Sequence, residues 1–432
     1  MLRALVSNKK IVFQFLLFIF AFLVFQNNAF NTVDRVFFDT FQKDSEALVV
    51  GSIVADDLQI DKEKWNLGFI AKNYPFDYPK DIMDSYEIFS SKKDSENAVF
   101  WPYRSQVGAQ GIFYSVIEQW FSLDSLAIIQ SIPSAILALL IVAFYPVNSK
   151  IYGTKYALIF SLSLIFSPWV AAFARNLYWS EFLWLLPCFF SSIAYLSKSI
   201  RYRNLLYFFI YLTFLAKSLC GYEYITSITL LACSPFILGP FFSGFYRPRW
   251  KSAFVVFALC VAGFFSAFIV HANMRGDSLV AGTVAIYQED VKRRTYSDPS
   301  NFDSSLKDSL NANPIVVVGR YVVKWSTPLF PGVPGFAFMA LIVLVVTGLF
   351  ILKKINHKYF VRDFVLISYM SLIPLSWFIL AKGHSYIHVH MNFVLWYLGF
   401  IPALIFCFVS SVNIMVGTLL RADKIDSSGF NL

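Results

Sequence analysis

The sequence predicts an all-α polytopic membrane protein: about ten transmembrane helices, with two large loops on one face that carry amphipathic interfacial helices. Three observations predict it. The 432 residues are 57% hydrophobic and 15% charged, with 48 Phe and a mean hydropathy of +0.58, whereas a soluble domain carries about 25% charged residues. Apolar runs of about 20 residues recur from end to end, the length that crosses a hydrocarbon core. Basic residues alternate between the connections, rich in one and poor in the next. Runs this long and this rich in Phe exclude a membrane β-barrel, whose strands alternate over about 10 residues.

In chain order the spans read as residues 11–30, 125–148, 156–174, 182–197, 204–219, 224–246, 252–271, 333–352, 364–381 and 393–418. The chain divides into a cytoplasmic N-terminus with the first helix (1–30), a first outer loop (31–124), six helices (125–271), a second outer loop (272–332), three helices (333–420) and a cytoplasmic tail (421–432). The first run is long for a signal-peptide core and no small-residue cleavage site follows it, so it reads as a retained anchor. Four of the five cysteines fall inside apolar runs, which argues against a disulfide framework.

Orientation follows from charge. The segments "MLRALVSNKK", "SKIYGTK", "SKSIRYR", "YRPRWK", "KKINHKYFVR" and "LLRADK" hold 17 of the 36 Lys and Arg. The short connections between them hold one each, Arg175, Lys217 and Lys382, while 24 of the 27 Asp and Glu lie on that side. The positive-inside rule puts both termini in the cytoplasm of a bacterial inner membrane. The net charge of +9 has its origin in this asymmetry and does not call for nucleic acid. The spans are nearly free of charge, unlike the path of an ion-coupled transporter, and no inverted repeat is visible. The groups capable of chemistry sit at the outer ends of the helices.

Four outer connections hold most of them. In "DSEALVVG", Asp44 and Glu46 are two residues apart and point to different sides of a helix. One carboxylate then faces a cavity while the other orients a partner or a divalent cation; a solvated acidic loop with a helix cap is the plainer reading. "WPYRSQVGAQGIFYSVIEQWF" sets Tyr103, Arg104 and Gln106 before two glycines and a helix-spaced apolar series. It reads as a turn facing a ligand, followed by an interfacial helix, or as a simple connector. "SPWVAAFARNLYWSE" carries Arg175, which either snorkels to headgroups or holds a lipid phosphate in a bidentate grip. "AKSLCGYEY" carries Lys217 and Glu223, as an ion pair or as ligand contacts. "AKGHSYIHVHMN" holds His384, His388 and His390, whose spacing matches metal sites poorly. They suit phosphate or sugar hydrogen bonding, or packing in a wet loop, and His388 and His390 would share one face of a strand. Arg320 and Lys324 lie on an amphipathic stretch of the second loop.

This layout resembles the GT-C superfamily of membrane glycosyltransferases, which use polyprenyl-phosphate-linked sugars. Its members include protein O-mannosyltransferases, lipid A aminoarabinose transferases and serotype-converting O-antigen glucosyltransferases. Asp44 and Glu46 occupy the first outer loop, where that superfamily places its acidic pair. Pro168, Arg175 and Glu181 are similar to its pattern of Pro, apolar stretch, Arg and acid. The resemblance implies transfer of a sugar from a polyprenyl-phosphate donor to a glycan or lipid acceptor of the cell envelope, lipopolysaccharide among them. Asp44 or Glu46 is then the base that takes the acceptor proton. Arg175, Glu181, Tyr103, Arg104, Gln106, Lys217, Glu223, Arg320, Lys324, His384, His388 and His390 contact substrate. A divalent cation is the one cofactor left open. The acids lie some way past the first span, and Asp34 and Asp39 lie nearer, so the identity of the base stays open. A polysaccharide polymerase or ligase using a lipid pyrophosphate, and a flippase of lipid-linked sugars, are the competing classes.

Overall fold

The computed structural model describes residues 2–72, 76–91, 97–323 and 328–428, except the side chains of 2–8, 305, 419 and 421–428. Its first helix, α1 (Leu2–Asn27), ends where Asn28 turns left-handed and exchanges two side-chain hydrogen bonds with Val33. The first loop then builds α2 (Arg35–Thr40), α3 (Lys43–Asp57), β1 (Gly68–Ala71), α4 (Asp84–Ser91), β2 (Val99–Pro102) and α5 (Ala109–Phe121). Next come α6 (Leu126–Tyr152), α7 (Thr154–Ile165), α8 (Pro168–Ala174), α9 (Phe182–Leu196), α10 (Ile200–Leu219), α11 (Ile225–Phe242) and α12 (Trp250–Arg275). The second loop holds α13 (Leu279–Ile286), α14 (Lys292–Arg294), α15 (Ser304–Asn311) and α16 (Pro314–Val323). The chain continues through α17 (Ala337–Ile355), α18 (His357–Leu380), α19 (Lys382–Ile387), α20 (Val389–Asn392) and α21 (Phe400–Ser428).

Seven of these helices, α1, α6, α11, α12, α17, α18 and α21, are long and apolar enough to cross a membrane, and the bent pair α7–α8 makes an eighth. The fold is therefore that of a helical, multi-pass membrane protein. Three of the spans read from sequence change form. Residues 156–174 are not one rod: the chain bends by 63° between α7 and α8. Pro168 has no N–H to continue the ladder, and the Ser167 hydroxyl caps the new helix by accepting from Val170 N at 3.1 Å. Residues 182–197 form only the 15-residue α9, about 22 Å of helix against a core of about 30 Å. Residues 393–398 are a buried 3-10 turn, and the last helix starts at Phe400. α10 has the length of a span but carries Arg201, Arg203 and Lys217, and lacks the apolarity of the seven. It packs between α9 and α12.

The shortness of α7 and α9 has a structural use. It draws residues 167–181 down between longer helices, so this connection is buried almost throughout, from Ser167 to Glu181. The two long loops and the connections 219–224 and 381–398 gather at the same end, hereafter the loop end. There the fold departs from pure helix: β1 and β2 pair antiparallel, four residues each. α3 packs against β1, α4 and α5. α5 is amphipathic in the inverted sense. It buries Gln110, Ser115 and Glu118 and exposes Ile112, Phe113 and Trp120.

Candidate functional site

Glu46 sits in the first turn of α3 and is 4% exposed. Leu177 N donates to its Oε1 at 3.1 Å, and Gln130 Nε2 lies 3.0 Å from both carboxyl oxygens. The Tyr86 hydroxyl lies 3.1 Å from Oε2 and 3.0 Å from Lys43 O, which share its one proton. Burial raises the Glu46 carboxyl, and the bonds from Gln130, Leu177 and Tyr86 only partly offset it. These partners come from three elements, so Glu46 ties α3 to α4, to the head of α6 and to the 175–181 connection.

That connection is tied in twice more. Asn176 Oδ1 accepts from Tyr178 N at 3.0 Å, an Asx turn, while its Nδ2 donates to Gln42 O at 3.2 Å. Arg175 Nη2 donates to Phe38 O and to Asp39 Oδ1, each at 3.0 Å, and the guanidinium lies 3.9 Å from the centre of the Phe38 ring. Arg35 also holds Asp39, at 2.7 Å. Burial pulls the Asp39 carboxyl up, but the two arginines outweigh it and hold the group below the usual carboxylate range. Phe38, Asp39, Lys43, Glu46, Tyr86 and Arg175 line a cavity of about 270 Å³.

The remaining acids near the first span have structural duties. Asp34 caps α2, accepting from Phe37 N at 2.9 Å. Asp56, at the far end of α3, pairs with Lys62 at 2.7 Å. Asp44, two residues from Glu46, is exposed. Its charge reaches Tyr78, Tyr86 and His390.

A second group lies across from it. Arg294 in α14 pairs with Glu223 at 3.5 Å, and its charge reaches Tyr178, His384 and His388. Arg293 donates to Asp290 at 2.9 Å and to Ser105 Oγ at 3.1 Å, joining the second loop to the first. The His384 and His388 rings are 4.5 Å apart, and His388 and His390 are 5.6 Å apart. They lie on α19, α20 and the turn between them, not on a strand. His384 faces Asn392 Nδ2 at 3.3 Å, and Tyr224 donates to Asn392 Oδ1 at 2.8 Å. Burial and then the charge of its neighbours push His384 well below the usual imidazole range, and His388 to about 4. Burial lowers His390 as well, which favours the neutral imidazole, able to donate one hydrogen bond and accept another. Among the described residues no three His, Cys, Asp or Glu side chains converge as metal ligands.

Of the residues singled out from sequence, Glu223 pairs with Arg294, Tyr103, His384 and His388 lie within reach of its charge, and His390 lies within reach of the charge on Asp44. Gln106 is buried and accepts from Tyr178 OH at 3.2 Å. Lys217 does not pair with Glu223; it donates to Gly221 O at 2.7 Å and closes its own turn. Arg320 lies 3.5 Å from the centre of the Tyr386 ring and donates to Tyr386 O, bracing α16 against α19. Glu181 is buried at the head of α9, and burial holds its carboxyl well above the usual range. Arg104 is exposed on the flank of the first loop. Lys324 lies outside the described residues. Arg293 and Arg294 were missed from sequence. Their signal is "KRR" at 292–294, a basic triplet on the side where short connections carry almost no positive charge. Set against protein-family models, curated proteins and solved structures, the chain matches none.

Proposed function

We propose that this protein is a membrane glycosyltransferase. It moves a sugar from a polyprenyl-phosphate donor to a cell-envelope glycan or lipid at the outer face of the cytoplasmic membrane, with both termini inside and ten passes. One observation carries the reading: the loop end brings an exposed carboxylate, Asp44, towards a cluster of arginine and neutral histidine, while the helices beneath carry almost no charge. Two exposed apolar faces, on α5 and α16, suit a site resting on the bilayer surface where a lipid-linked donor arrives.

The chemistry needs few parts. The acceptor hydroxyl oxygen attacks the anomeric carbon, the bond from that carbon to the phosphate oxygen breaks, and the polyprenyl phosphate leaves with the bonding pair. The acceptor proton goes to Asp44, whose carboxylate is open to a substrate. Glu46 positions rather than reacts, because both its oxygens already accept hydrogen bonds. Among the described residues Arg294 makes one ion pair, the 3.5 Å contact to Glu223, and its planar fork suits phosphate oxygens. Neutral His388 and His390 supply N–H groups to the same oxygens or to sugar hydroxyls. Attack opposite the leaving phosphate inverts the anomeric centre.

The test is mass spectrometry of envelope glycans from cells with and without the protein. It is joined to transfer assays in which membranes receive radiolabelled polyprenyl-phosphate hexose or pentose. The expected result is a one-sugar mass difference and label in the acceptor. Identical glycans together with no label transferred would overturn the proposal.

A further inference from the structure

Away from Asp44, the first loop presents a wall of rings. β1 and β2 pair with Phe69 opposite Trp101, which puts the two side chains on one face of the hairpin. Phe76 lies nearly parallel to both, its centre 5.0 Å from Phe69 at 10° and 5.9 Å from Trp101 at 21°. Tyr78 stands beside them, 60% exposed, and Trp101 is 40% exposed. These rings form one side of a groove of about 720 Å³, a size typical of ligand sites. Its lining also includes Arg104, Arg275 and Glu289, the last two joined as an ion pair. Tyr103 lines the groove too, and its ring packs edge-on against Tyr178, 6.5 Å away, both within reach of the charge on Arg294. The groove thus runs from solvent towards the Arg294 cluster, and Tyr78 brings it within reach of the charge on Asp44.

We infer that this groove binds a carbohydrate chain, the saccharide segment of the acceptor next to the hydroxyl that reacts. A pyranose ring has a flat C–H face and a rim of hydroxyls. Polarised C–H groups sit well on the negative face of an aromatic ring. Each hydroxyl donates one hydrogen bond and accepts others. A wall of near-parallel rings facing guanidinium donors and a carboxylate acceptor matches both features. A lipid tail matches neither, and the ring wall is flanked by charge: Lys72 bridges Asp84 and Glu87, and exposed Asp77 and Lys80 follow. Charged side chains are costly inside a bilayer. The inference rests on the transferase reading only for naming the chain as the acceptor.

The experiment is isothermal titration of the purified full-length protein in nanodiscs. The ligand is the polysaccharide released by mild acid from the envelope of the cells that make it. Saturable binding is expected, weakened about tenfold or more by Trp101→Ala and by Tyr78→Ala, a loss of about 1.4 kcal/mol, and largely kept by Trp101→Phe. No saturable binding, or an affinity unmoved by both alanine variants, would overturn the inference. So would quenching of Trp101 by brominated lipid, with Trp101→Phe as the reference, since the wall would then lie in the bilayer. Binding that persists in a protein that transfers no sugar upholds the groove and removes the transferase reading. Transfer with an acceptor KM unchanged by both alanine variants does the reverse.

Discussion

Asp44 and Glu46 share one turn of α3 and have opposite environments, which assigns them different work. Asp44→Asn keeps size and removes proton acceptance, so the transfer rate should fall by about 10²–10⁴-fold with donor binding intact. A rate above about a tenth of wild type, measured at matched expression, would remove Asp44 as the base. Glu46→Gln instead turns an N–H towards donors already aimed at the site, an unmet buried contact costing about 1–3 kcal/mol. Its first sign should be a lower melting temperature. The linkage has a definite sign. The folded carboxyl lies above its ordinary 4.5, so the stability it contributes is complete below that pH and declines as pH rises through the folded value. Melting curves from acid to neutral pH should therefore lose that decline in the Gln variant.

Arg175 and Asp39 form one unit, because a single Nη2 serves both the Asp39 carboxylate and Phe38 O while the fork lies over the Phe38 ring. Lysine supplies charge but neither plane nor fork. Arg175→Lys and Asp39→Asn should each destabilise the loop end and be non-additive, with a coupling of about 0.5–3 kcal/mol in a double-mutant cycle of thermal unfolding. Additive effects would show that the pair is incidental.

At the scale of elements, the first loop depends on close backbone approach. A Cβ on Gly51 of α3 would strike Gly68 O of β1, and one on Gly111 of α5 would strike Asn66 O. Neither obstacle is a flexible side-chain end. Gly51→Ala and Gly111→Ala should each lower stability by about 1–3 kcal/mol despite alanine's better helix propensity. Unfolding of the detergent-solubilised variants checks this, and a gain in stability in either would mean that the α3–β1–α5 packing is looser than described. The break at Ser167–Pro168 belongs to this scale too. It lets Arg175, Asn176 and Leu177 meet the first loop instead of standing above it.

For the whole molecule, the charge asymmetry makes a topological prediction. Cysteines placed at Ser90 in the first loop and Ser300 in the second, both exposed, should label with an impermeant maleimide in intact cells. A cysteine at Lys150, in the last turn of α6, should label only after permeabilisation. The opposite pattern would invert the orientation and move the loop end to the cytoplasm.

Legibility divides along the same scales. The long apolar helices were readable because hydrophobic runs and their basic punctuation are local properties, written residue by residue, while the bend inside 156–174 and the 3-10 turn at 393–398 were not. Asp44, Glu46, Arg175, Glu223 and the histidines were readable as candidates because polar groups stand out against so apolar a chain. What each does was not readable, since burial and partners come from segments far apart: Gln130 and Leu177 reach Glu46 from 84 and 131 residues away. The sheet escaped notice because its strands are four residues each and too short to show a period. Arg294 escaped because its meaning depends on α14 folding back over α19, a non-local contact. By itself the sequence determined the class and where most of the long apolar helices run, since those follow from composition along the chain. Only the tertiary structure decided that Glu46 is enclosed and Asp44 open, that Lys217 closes a turn while the charge of Arg294 reaches the histidines, and that rings of the first loop line a groove. Burial and hydrogen bonding depend on which distant segments pack together, and no local pattern carries that.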